Sequence, residues 1–224
     1  MELNADFSQR VLVHSDDVTW LASPMPGVDR RMLDRIGDEV ARATTIVRYA
    51  KDSKFSAHTH TGGEEFIVLD GVFQDEHGDF PVGSYVRNPP TSSHTPGSDD
   101  GCVIFVKLWQ FDANDRTQIM INMDKTEPVV AANRPGVSVI PLYQDARETV
   151  RCEHWAKGSD VEIDLPHGGE FLVLSGGFDE NGDQLRKHSW LRLPQGSVLR
   201  ASAREDSKVW MKLGHLPFAT APAV

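Results

Sequence analysis

The chain has 224 residues, 39% of them apolar and 25% charged, the balance of an ordinary globular protein long enough to bury one large core or two small ones. Its net charge of −10 excludes a sequence-independent grip on nucleic acid and docking on an anionic membrane, since both need clustered Lys and Arg. Two distant cysteines, Cys102 and Cys152, build neither a disulfide scaffold nor a CxxC zinc site. The first residues (MELNADFSQR) carry no apolar leader, and no stretch approaches the roughly 20 apolar residues that span a bilayer, so a cytoplasmic protein is expected.

Taken in chain order, a PGV triplet at Pro26 precedes Arg30–Arg42, a charged stretch interrupted by Gly37 that predicts a short or broken helix. Short apolar runs then alternate with turn clusters: YAKDSKF from Tyr49, HTH from His58, EFIVLDGVF from Glu65, SYVRNP from Ser84 and VIFVKL from Val103. Runs of four to seven Val, Ile, Phe and Leu between DEHGD- or PPTSSH-type turns predict β-strands. Phe111–Arg116 is the second stretch that departs from this pattern, and TEPVVAANR (126–134) loses it altogether.

From Pro135 the chain is written again. WAKGSDV, EFLVLSGGF, SWLRLP and KVWMKL return in the same order, the last three at the same offset from their first copies. A repeat on this scale predicts a duplicated domain. The expected fold is all-β, two tandem jelly-roll β-barrels, with residues 1–125 forming the first and 126–224 the second.

The chemistry concentrates in the first copy. Side chains alternate along a strand, so His58 and His60 share a face. A Gly-Gly turn then brings the chain back at Glu64, placing a carboxylate beside both imidazoles, and Gly71 closes the returning strand. His94, in NPPTSSHTP, is the candidate fourth donor. Three imidazoles and a carboxylate suit one divalent metal, Zn²⁺, Fe²⁺, Mn²⁺ or Ni²⁺. Glu65 is the competing carboxylate, because the repeat aligns it with Glu170. HxH, three spacers, Glu and a later Gly, followed by a distant His, resembles the two motifs of the cupins, and the chain reads as a bicupin.

The second copy has lost this set. Opposite the HxH stand Asp164 to His167, and opposite His94 stands Leu199. That half is expected to be a metal-free barrel in which Glu170 pairs with His167 or both line a pocket. Cys152 and His154 share a strand face and read as a buried thiol near a packed imidazole, and Cys102 as a core residue. His14, His77 and His215 are expected at the surface.

The run HTHTGGEEFIVLDGVFQDEHGDFPVGSYVRNPPTSSHTP (58–96) resembles the ChrR-like cupin family, which includes the sensory domain of ChrR-type zinc anti-sigma factors. The resemblance implies a metal on His58, His60, Glu64 and His94, and a response to singlet oxygen or organic peroxides. The helical zinc domain of those factors, with its His and CxxC, does not precede the first barrel here, so a sensory or regulatory module without direct sigma-factor binding is expected. Related stand-alone cupins cleave diketones with iron. The alternative is therefore a metal-dependent dioxygenase or isomerase acting on a small polar or dicarbonyl substrate. In that reading Glu65 is a spare carboxylate, and Arg48 or Arg87 an anion clamp. A third reading is a storage or scaffold bicupin whose metal is purely structural. A small-molecule ligand in the first barrel and a homodimer are the expected partners, with no nucleic acid and no membrane.

Overall fold

A computed structural model describes residues 1–38 and 40–222. Strands and connecting turns make up the described residues, with two three-residue 3₁₀ turns and no α-helix. Among the described residues no helix is long and apolar enough to cross a membrane. The chain divides into two compact units. One holds Met1–Ala5, Thr19–Lys125 and the described residues 220–222, and the other holds Asp6–Val18 and Thr126–Ala219.

In the first unit a large antiparallel sheet runs in the order Val28–Gly37, Ala41–Tyr49, Cys102–Leu108, Glu64–Asp75, Ser84–Asn88, Ile119–Asn122. Alternate residues of these strands point inward, and Val47, Phe66, Val68, Val86, Ile104 and Val106 form the core with Phe73, Phe80 and Cys102. The Cys102 thiol is pushed up to about 11 by burial, so it is a poor nucleophile. A short pair, His58–Thr59 against Ser93–His94, lies outside the large sheet and sets His58 opposite His94.

The helix expected over Arg30–Arg42 is not there. Val28–Gly37 and Ala41–Tyr49 are neighbouring strands. The charges that suggested a helical polar face are satisfied between strands and loops instead. Asp29 accepts from Arg48 at 2.6 Å, Asp34 lies 3.6 Å from Arg42, and Trp20 stacks with both Arg31 and Arg48. A register shift between Met32 and Asp34 breaks the period-two pattern that would have betrayed the strand. Phe111–Arg116 is likewise a turn, in which Asp112 accepts from the Asn114 backbone N–H at 2.8 Å.

The second unit repeats the pairing order with Val137–Gln144, Thr149–Trp155, Ser207–Leu213, Gly169–Ser175 and Ser189–Leu193. Its last neighbour is Val11–His14 from the N-terminal segment, in the place that Ile119–Asn122 takes in the first unit. Its apolar core is built on Trp155, Phe171, Phe178, Leu191, Leu199 and Met211 among others.

Candidate metal centre

Four donors converge in the first unit. Single ligand atoms of His58, His60, Glu64 and His94 lie within 4.8 Å of one another. His60 Nε2 is 3.2 Å from His94 Nε2, and Glu64 Oε1 is 3.5 Å from the former and 3.6 Å from the latter. Glu65, next along the strand, faces the other way and accepts from the Tyr85 hydroxyl at 2.7 Å. It takes no place among the four.

The sequence builds this arrangement locally. Gly63 adopts φ +77, and a Cβ at Gly62 or Gly63 would fall within 2.4 Å of the Trp109 or Phe111 ring. Only glycine lets the turn press against those aromatics and return Glu64 to the imidazoles. His94 arrives on its two-residue strand in register with His58.

Hydrogen bonds fix the ring orientations of two histidines. Ser92 Oγ donates to the Pro89 carbonyl at 2.6 Å, which uses its one proton. His60 Nδ1, 3.0 Å from that oxygen, must therefore be the donor, leaving an unprotonated Nε2 facing His94. Asp75 Oδ2 sits 3.2 Å from His94 Nδ1, while its other oxygen accepts from the His77 backbone N–H at 2.7 Å. As a carboxylate Asp75 accepts the His94 Nδ1 proton, so that Nε2 also presents a lone pair. Partners of this kind on the far nitrogen are what orient metal-bound histidines.

The electrostatics agree. Burial, with the neighbouring imidazoles adding, pushes His60 down to about 3 and His94 down to about 4, so both rings are neutral at physiological pH. Burial pushes Glu64 up to about 7 despite the Asn88 amide, and the Asp75 charge adds to the rise. Asp75 is itself raised, chiefly by burial. Whenever Glu64 is ionised, its carboxylate faces two imidazole lone pairs and is repelled by them. A cation at their centre removes that repulsion, and neutral imidazole is the form that binds it. The donor set thus fits a divalent first-row ion.

The residues considered as anion clamps face elsewhere. Arg48 is exposed and paired with Asp29. Arg87 is buried, paired with Asp115 and stacked 4.0 Å over Phe111. Ser92 and Asp75 are not marked as site residues by the sequence, where they lie in turn clusters that read as solvated. Their only signal was proximity to a histidine in PPTSSH and DEHGD.

In the second unit the pair corresponding to His58 and His94 is Ile163 opposite Leu199, and both belong to the apolar core with Leu165. His167 is exposed, so it does not pair with Glu170. That partner is His215, 2.8 Å away, a histidine expected at the surface but only 4% exposed. Among the described residues, Cys152 and His154 join no metal-capable cluster.

Residues 8–112, just under half of the chain and including all four donors, match the family model of the ChrR cupin-like domain. No protein of curated function matches the sequence. Solved structures share the fold over almost the whole chain. A candidate dioxygenase from Nostoc punctiforme is 15% identical, covering 97% of this chain and 87% of its own, with a TM-score of 0.77. The pirin YhhW of Escherichia coli, solved with nickel(II), is 13% identical over 92% of this chain and 98% of its own, with a TM-score of 0.63. Salicylate 1,2-dioxygenase from Pseudoaminobacter salicylatoxidans, solved with gentisate adducts, is 11% identical over 84% and 74%, with a TM-score of 0.58. At these identities the likeness to each concerns the fold alone.

Proposed function

We propose that the first unit binds one divalent metal through His58, His60, Glu64 and His94, zinc ahead of Fe²⁺, Mn²⁺ and Ni²⁺, and that it serves as a sensory or regulatory module. The observation that carries the metal is the 3.2 Å approach of two unprotonated imidazole nitrogens beside a buried carboxylate. The match to the ChrR cupin-like domain supports the regulatory role. When bound, such an ion supplies Lewis acidity, and redox chemistry if it is iron or manganese. His60 and His94 contribute neutral, pre-oriented donors, and Glu64 with Asp75 contributes two negative charges that balance a divalent ion. We read the second unit as a degenerate cupin barrel without metal, and the chain as a bicupin.

A second reading, an enzyme acting on a small polar or dicarbonyl substrate, is favoured by one observation. His58 is exposed to solvent, which puts a donor where an outside molecule reaches it.

Elemental analysis of the purified protein beside a His58→Ala/His60→Ala variant tests the site. About one metal per chain, lost in the variant, is expected. Zinc that leaves on peroxide treatment supports the regulatory module, whereas iron with oxygen uptake on a dicarbonyl compound supports the enzyme. Metal retained by the variant, or absent from the parent protein, overturns the proposal.

A further inference from the structure

The four donors are not held alike. His60 is 6% exposed and clamped by Ser92, and His94 is 2% exposed and clamped by Asp75. Glu64 is 9% exposed and sits on a twelve-residue strand, Glu64–Asp75. His58 differs in exposure and in anchoring. Its side chain is exposed, and among the described residues no hydrogen bond holds its ring. What it touches are the edges of two other imidazoles, with ring centroids 5.0 Å from His60 and 4.8 Å from His94.

A donor whose far nitrogen is anchored keeps its orientation when the near bond breaks, and so re-forms that bond quickly. An unanchored side chain at the surface instead regains rotamer freedom and hydration on leaving, and both favour its departure. Each effect lowers the cost of releasing His58 and raises the cost of releasing the other three. Backbone pairing of His58 with His94 keeps the ring nearby, so that departure is reversible.

We propose that Glu64, His60 and His94 form the fixed part of the site and that His58 is an exchangeable donor, whose place a small nitrogen- or oxygen-donor ligand from solvent takes. The proposal rests on the metal-binding reading above. It gives the first unit a defined point of entry for a signal or substrate. Nothing covalent happens in the exchange, since one lone pair replaces another.

Cobalt(II) is the probe, titrated into the metal-stripped full chain and read by visible absorption and equilibrium dialysis. The parent, His58→Ala, His60→Ala and His94→Ala proteins are compared, with circular dichroism confirming that each is folded. The parent and His58→Ala are expected to take up about one cobalt per chain, with a loss of affinity at least about tenfold smaller for His58→Ala than for His60→Ala or His94→Ala. Added imidazole should change the His58→Ala spectrum and restore its affinity, and should leave the His60→Ala and His94→Ala proteins unrescued. Equal losses in all three variants, or a His58→Ala protein that ignores imidazole, overturn the exchangeable donor while leaving the metal site standing. A parent chain that takes up no cobalt overturns the metal site itself.

Discussion

Glu153 shows how much one buried side chain can organise. It is 0% exposed and accepts four hydrogen bonds, two from Arg134 at 2.6 and 2.7 Å, one from Arg151 at 2.7 Å and one from the Trp155 indole at 2.7 Å. Burial alone would raise its pKa, but the Arg134 hydrogen bond and the Arg151 charge outweigh it, and the carboxyl ends below its ordinary value. A group with a depressed folded pKa stabilises the fold above its unfolded pKa and loses that contribution as pH falls through the folded one. Glu153→Ala is expected to cost about 3 kcal/mol at neutral pH, since it strands two guanidinium groups and an indole. Urea denaturation across pH 2–7 should show the gap between variant and parent closing on the acid side, and a constant gap would refute the assignment. None of this was legible in the sequence, where Glu153 is one charge in RCEHW. His58, His60, Glu64 and His94 announced themselves by residue type and spacing. Ser92 and Asp75 did not, because a hydroxyl or carboxylate in a turn gains meaning only from the ring it meets after folding.

At the scale of the element, the Glu64–Asp75 strand is the part on which the site turns. Fully extended, it would hold its ends roughly 36 Å apart at about 3.3 Å per residue. Yet Glu64 and Asp75 reach opposite nitrogens of the same His94 ring, at 3.6 and 3.2 Å. The strand therefore folds back on itself, pairing first with Cys102–Leu108 and then with Gly78–Pro81. The bend lies at Gly71, whose φ is +68 and whose absent Cβ would stand 2.1 Å from the Gly101 carbonyl oxygen. The sequence marks this glycine as a strand end, whereas the strand bends there and continues. Gly71→Ala is expected to destabilise the chain by about 2 kcal/mol from backbone strain, with the clash in addition. It should also weaken cobalt binding, because it displaces Glu64 relative to Asp75. Thermal unfolding and cobalt titration of the variant check both, and unchanged affinity would mean that the bend does not position the donors. Elsewhere the repeated motifs located the strands well, whereas Arg30–Arg42 misled because its charges find partners on a neighbouring strand that periodicity cannot see.

For the whole molecule, chain order and spatial grouping differ. Asp6–Val18 groups with residues 126–219, although a division at 125/126 assigns it to the first domain. Val11–His14 pairs with Ser189–Leu193, Leu12 packs against the second core, and Arg10 bridges Glu180 and Asp183 at 2.6 and 2.8 Å. A chain beginning at Thr19 is therefore expected to lose hydrogen-exchange protection at Ser189–Leu193 and to melt on the order of 5 °C lower. Its cobalt binding should persist. Loss of cobalt with protection retained would contradict the grouping. The two units also differ in how they are completed. Where the first carries His58 and His94, the second carries Ile163 and Leu199, and its interior is finished by its own side chains. On the proposed reading, the first keeps an unbalanced polar centre until an ion arrives. Chains made in a metal-starved cell would then carry one barrel finished at synthesis and one still awaiting a component from outside. For such a protein, metal supply is a step of assembly as well as of function.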